Sequence, residues 1–207
     1  MMIVRQTLFA CGLALALAAC GTTNGKVRLT EDWPARAGDY EDVTTAWTRE
    51  TTLRGIYQEA LEVTATFKSP EWRAAYAEKL AANRGLIGAA RDQHMNQAQA
   101  EAAGNYEIEL MVTTWDRREN DLDRGAKSAW RVVMLDDAGN EIEPLEIVKD
   151  KRPTSIIRAE YPSFGEFATA YIVRFARTKP LLGPSIRKLE LRMSSVRGGV
   201  SLVWDSN

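Results

Sequence analysis

The sequence predicts a mainly β domain: an antiparallel sandwich of the immunoglobulin-like kind with a two-helix insertion. Three observations lead there. Short segments in which apolar and polar residues alternate recur along most of the chain, the signature of strands with one buried face. Turn-forming clusters such as Asp136-Asp137-Ala138-Gly139-Asn140 and Gly198-Gly199 separate them. One stretch, about residues 70–102, switches to helical spacing behind a helix-start signal. About seven to nine short strands joined by turns favour two packed sheets over a lipocalin-like barrel, which calls for more even hairpin spacing.

The chain opens with a different kind of text. Arg5 is the only charge before Lys26, and from Leu8 to Ala19 every residue is apolar or small. That run has the length of a secretory h-region and falls short of the roughly 20 residues a membrane-spanning helix requires. It ends Leu17-Ala18-Ala19-Cys20-Gly21, which resembles the lipobox of lipoproteins processed by signal peptidase II. Small residues let an extended backbone enter the protease, Leu17 fills an apolar pocket, and only Cys supplies a sulfur nucleophile. The resemblance implies that residues 1–19 are removed, that Cys20 is the lipidated residue, and that its new amine is acylated. Gly21, where inner-membrane retention usually has Asp, implies anchoring to the outer membrane, on its periplasmic side or at the cell surface. In a cell with a single membrane the anchor is the plasma membrane.

Removing 19 of 207 residues leaves 188, enough for one domain with an elaboration. Cys11 leaves with the signal and Cys20 is lipidated, so no disulfide is expected. Loss of Arg5 leaves 26 basic residues against 28 acidic ones, a balance that provides no basic stripe for nucleic acid. Residues 20–44 are polar and turn-rich, with Trp33-Pro34 and Gly38-Asp39, and read as a flexible tether. The folded domain is then residues 45–207, expected to fold from about Val43 without lipid, metal or disulfide.

Within it, Trp47 to Leu53 and Tyr57 to Phe67 form the first strands; Leu61, Val63, Ala65 and Phe67 lie on one face. Ser69-Pro70-Glu71 places an N-cap, a first-turn proline and an acid at a helix start. Trp72, Ala75, Tyr76 and Leu80 follow at helical spacing, and a second helix runs from about Ala89 to Ala102. Strand text resumes at Tyr106 to Val112, then Trp130 to Met134, Ile142 to Val148, residues 155–161, Tyr171 to Phe175, Leu189 to Met193 and Val200 to Trp204. The core is expected to hold Leu61, Val63, Phe67, Ile108, Leu110, Val112, Trp130, Val173, Leu191 and Trp204.

Several runs carry a wider resemblance. Thr66-Phe67-Lys68-Ser69-Pro70-Glu71-Trp72-Arg73, Tyr161-Pro162-Ser163-Phe164-Gly165 with Ala170-Tyr171-Ile172-Val173-Arg174-Phe175, and the closing strand with Trp204 resemble a family of uncharacterised bacterial lipoproteins. The resemblance covers most of residues 46–204. It implies a shared fold and carries no activity, catalytic residue or cofactor with it.

The residues themselves supply no catalytic constellation. His94, the single histidine, reads as a surface residue in mid-helix, and no Gly-x-Ser-x-Gly elbow is present. One histidine without a free cysteine makes a poor zinc site. Asp116 to Gly125 carries Glu119, Asp121 and Asp123 at alternate positions, yet an EF-hand loop begun at Glu119 has Arg124 and Trp130 where Gly and Glu belong. It reads as a charged surface loop. Trp115 beside Asp116 has the makings of a sugar platform but reads more simply as a strand aromatic. Arg174, Arg177, Lys179, Arg187 and Lys188 read as outward charges on strands rather than a basic patch. The expectation is therefore a non-catalytic, cofactor-free envelope lipoprotein that acts as a structural or partner-binding module. The alternative is a lipoprotein that binds a lipid, sugar or calcium ion. The second insertion helix surrounds Met95 and several alanines with Gln93, Asn96, Gln97 and Gln99, making it either a passive cover or a surface for a protein partner.

Overall fold

The computed structural model describes residues 25–55 and 59–207. The proposed signal peptide, Cys20 and Tyr57 lie outside the described residues. Two antiparallel sheets share one apolar core with helices, so the fold is mixed α/β rather than mainly β. The five-stranded sheet has the order β1-β2-β3-β7-β6, with β1 Thr48–Arg54, β2 Glu59–Phe67, β3 Tyr106–Thr114, β6 Glu146–Lys149 and β7 Thr169–Phe175. The four-stranded sheet has the order β5-β4-β8-β9, with β4 Arg131–Leu135, β5 Glu141–Ile142, β8 Lys188–Ser195 and β9 Gly198–Asp205. The helices are α1 Tyr40–Trp47, α2 Pro70–Asn83, α3 Gly88–Ala102 and α4 Thr154–Glu160.

The alternation read in the sequence sets the register. Leu61, Val63, Ala65 and Phe67 of β2 pair across Thr114, Val112, Leu110 and Ile108 of β3, and the apolar members of these pairs are at most 1% exposed. Tyr171, Val173 and Phe175 extend this layer, and Met134, Leu189, Leu191, Met193, Leu202 and Trp204 belong to the same core. Every residue expected in the core is buried. The sheets also meet along one side: Arg49 Nε of β1 donates to the Val203 carbonyl (2.6 Å), and Trp204 Nε1 of β9 donates to the Trp47 carbonyl (2.9 Å).

Three expectations are corrected. Residues 25–44 are not a flexible tether. Val27 and Leu29 are 3% exposed, Val27 N–H donates to the Asp205 carbonyl, and α1 starts at Tyr40 behind an Asp39 cap. The polar composition hid two apolar anchors, so the folded unit begins well before residue 45. Residues 155–161 form α4 instead of a strand, because Pro153 opens a helical turn in which Ile156 and Ile157 N–H donate to its carbonyl. Ile142 to Val148 is not one strand. Pro144 lacks the N–H a ladder needs, and the chain crosses there from β5 in one sheet to β6 in the other.

The insertion occupies its expected place between β2 and β3. Ser69 Oγ accepts from Trp72 N–H (3.1 Å), with Pro70 in the first turn. Trp72 stacks on Tyr76 (5.0 Å) and on Tyr161 (5.9 Å), and its indole donates to Thr44 Oγ1. Thus α2 is welded to α1 and to the end of α4. By contrast, α3 buries no residue.

Candidate functional site

The outer face of the five-stranded sheet, under α2 and α4, is where the charges concentrate. On β3 the even positions face the shared core, so Glu107, Glu109 and Met111 point outward. A sheet face open to water would leave these carboxylates solvated. Here the insertion covers them, and Glu109 is 0% exposed.

Glu109 is held by opposite charges on neighbouring elements. Lys68 Nζ, at the end of β2, lies 2.8 Å from Glu109 Oε2, and Arg152 lies 3.6 Å away. Neither carboxylate oxygen accepts a well-formed hydrogen bond among the described residues. Burial pushes the Glu109 carboxyl up to about 6, with Lys68 opposing the rise. Asp150 behaves oppositely: burial raises it, but Arg152 more than reverses this, leaving it below the ordinary value. The two carboxyls also act on each other, the charge of Asp150 adding to the rise at Glu109. Arg152 continues to Glu160, which accepts from Tyr76 Oη (2.6 Å), and Arg73 reaches Glu107. The result is a nearly closed charge lattice linking β3, α2 and α4.

A small cleft of about 130 Å³ adjoins it, lined by Lys68, Arg73, Tyr76, Arg152 and Glu160 and roofed by His94 and Glu101 of α3. That is space for about four waters. His94 is therefore not a plain surface residue: it is half-buried, and its Nε2 is buried with no partner among the described residues. Lys68, Arg73, Arg152, Glu101 and Glu160 line the same cleft, and among the described residues none of them hydrogen-bonds His94 Nε2. The lattice thus sets a carboxyl of raised pKa among opposite charges beside a cleft large enough for water.

The remaining sequence candidates separate in space. In the Asp116–Gly125 loop each acid has its own partner. Asp116 is bound by Arg118, whose hydrogen bonds hold the carboxyl near about 2; Glu119 pairs with Arg197 (2.6 Å) and Asp123 with Lys149 (3.3 Å). Asp121 turns inward and accepts from Ala129 N–H (2.9 Å) and Ser128 Oγ. No group of three or more potential metal ligands converges among the described residues. Arg174 pairs with Glu107 and Glu146, Arg177 with Glu31, and Lys188 with Glu190, so they are members of separate ion pairs. Trp115, 67% exposed, lines a shallow groove with Phe167, over whose ring Arg117 lies.

Sequence reasoning missed Glu109, Asp150 and Arg152. The available signal was the two-helix insertion itself, which implies that one outward strand face is covered. Comparison with protein-family models, curated proteins and solved structures finds no match to this chain. Its function must be read from its own residues.

Proposed function

We propose that the chain is an exported lipoprotein, anchored by acyl groups on Cys20, whose domain is a non-catalytic structural or partner-binding module of the cell envelope. The observation that carries this reading is Leu17-Ala18-Ala19-Cys20-Gly21 at the end of an apolar run headed by Arg5. Two or more acyl chains give stable attachment, at about 0.8 kcal/mol per buried methylene. Gly21 directs the anchor to the outer membrane of a two-membrane cell. Gly25, whose carbonyl accepts from buried Arg49, is five residues from Cys20. Five residues reach at most about 18 Å, so the domain rides close to the lipid headgroups. Among the described residues no helix is long and apolar enough to cross a membrane.

The two-sheet arrangement is read as a variant immunoglobulin-like sandwich: the chain passes repeatedly between facing sheets, although β2 pairs directly with β3 across the insertion. The absence of apolar anchoring on α3 supports a partner-facing role for the insertion. Intact mass of the protein from its own host tests the lipid reading. A mature chain starting at Cys20 and heavier than its sequence by acyl groups is expected, and Cys20→Ser should lose both the added mass and the membrane fraction. Any other mature start overturns it.

A further inference from the structure

A second unexplained feature lies where the chain crosses between sheets. A groove of about 620 Å³ opens there, with Leu122, Trp130, Val132, Leu145 and Ile147 among its walls. Leu145, one of its lining residues, is 58% exposed. Trp130 is only 3% exposed, yet its indole N–H is buried without an acceptor among the described residues.

A second donor is implied by strand register. Asp136 N–H donates to the Asn140 carbonyl, and Met134 pairs with Ile142, so the even residues of β4 turn their backbone groups toward β5. The next position on that ladder is Val132, whose cross-strand partner would be Pro144. Proline has no N–H, the chain peels away toward β6, and the β4–β5 pairing ends at Met134. Val132 therefore presents a strand-edge N–H and C=O to the groove, beside the Trp130 indole.

We infer that this groove receives an extended peptide segment of a partner protein, which adds to the free edge of β4 beside Val132. A backbone strand supplies the donor and acceptor that Val132 requires, and one of its carbonyls can satisfy the Trp130 indole. Its alternate side chains fit the apolar walls, as in strand addition generally. The lining carboxylates are already engaged, Asp123 by Lys149, Glu143 by Arg131 and Glu146 by Arg174, so backbone pairing and apolar fit, rather than charge, select the segment. The fitting partner is therefore an extended run of Val- or Leu-sized residues. This takes the partner-binding half of the proposed function and gives it a site. Because it does not depend on acylation, an unmodified Cys20 would leave it standing.

The probe is a capped Lys-Val-Thr-Val-Thr-Val-Lys peptide titrated into the full chain in detergent micelles. The readout is the indole N–H resonance that Trp130→Phe removes. A saturable downfield shift with Kd below about 1 mM is expected. Leu145→Glu, on an exposed side chain, should weaken binding at least roughly tenfold, while Ile87→Glu on the distant insertion should not change it. Placing proline at the central position of the peptide should abolish binding. No saturable shift, or equal binding by Leu145→Glu or by the proline peptide, overturns strand addition. A dimer of the protein alone, lost in Leu145→Glu, would make a second copy the occupant and overturn the partner assignment.

Discussion

Glu109 is the residue where burial and charge oppose each other most directly. Its folded pKa, raised to about 6 by burial, lies above the ordinary value of 4.5. An acid shifted upward stabilises the fold while protonated, so this contribution is complete below about pH 4.5 and is lost as pH rises through about 6. A shift of that size corresponds to about 2 kcal/mol. Chemical denaturation at pH 4.5 and pH 7.5 should show the wild type losing about 2 kcal/mol relative to Glu109→Gln, which does not titrate. A difference independent of pH would refute the upward shift of Glu109. Asp150 and Glu190 titrate lower and act in a more acidic window, so they do not mask the effect. Arg49 is the opposite case, a buried cation that donates to the carbonyls of Gly25, Ala46, Thr48 and Val203. Arg49→Met strands those acceptors at once and should cost about 3–5 kcal/mol by the same measurement. Neither role was legible in sequence. Glu109 reads as half of a solvent-facing alternation with Glu107, and only the covering helices reverse its meaning.

Among the elements, those whose ends carry explicit chemistry were legible. The Ser69-Pro70 start of α2 and the Gly198-Gly199 entry to β9 appear as the sequence reading places them. Those decided by tertiary context were not: α4 contains an apolar pair that alternation alone reads as strand, and β5 and β6 part company at a single proline. The insertion shows how unequal two adjacent helices can be. Trp47 donates to Glu71 and Tyr76 donates to the Glu160 carboxylate, tying α2 into the fold, whereas α3 is tied by the half-exposed Arg91–Glu78 ion pair and by Arg177 on the Ala102 carbonyl. Exposed pairs of this kind contribute about 0–1 kcal/mol. Replacing residues 85–103 with a short Gly/Ser loop should therefore lower stability by no more than about 1–2 kcal/mol, measured by denaturant midpoint. If crosslinked partners in cells disappear while the domain stays folded, α3 is a contact surface. Collapse of the domain would make α3 structural and end its assignment as a contact surface.

The whole molecule is organised around a clasp at its N-terminus that composition concealed. Val27 bridges in parallel to Ser206, Leu29 accepts from Gly183 N–H through its carbonyl, and Gly25 accepts from Arg49. Both apolar side chains, with Tyr40 behind them, belong to the same buried cluster as the centre of both sheets. A flexible tether would leave the domain indifferent to its removal; this segment instead closes the core where β1 meets β9. Burying a Val, a Leu or a comparable apolar side chain gains about 1.5–3 kcal/mol each, and the domain as a whole is expected to have only about 5–15 kcal/mol to lose. A chain begun at Val43 forfeits Val27, Leu29 and Tyr40 together, and leaves Arg49 with one carbonyl fewer. Expressed beside a Cys20→Ser chain begun at residue 20, it should melt at least about 15 °C lower or fail to unfold cooperatively. Leu29→Ala in the longer chain should lose about 2–5 kcal/mol, which separates packing from mere chain length. Equal melting of the two chains would mean that the N-terminal segment rests on the core without supporting it, and that the folded unit begins near residue 45 as composition alone implied.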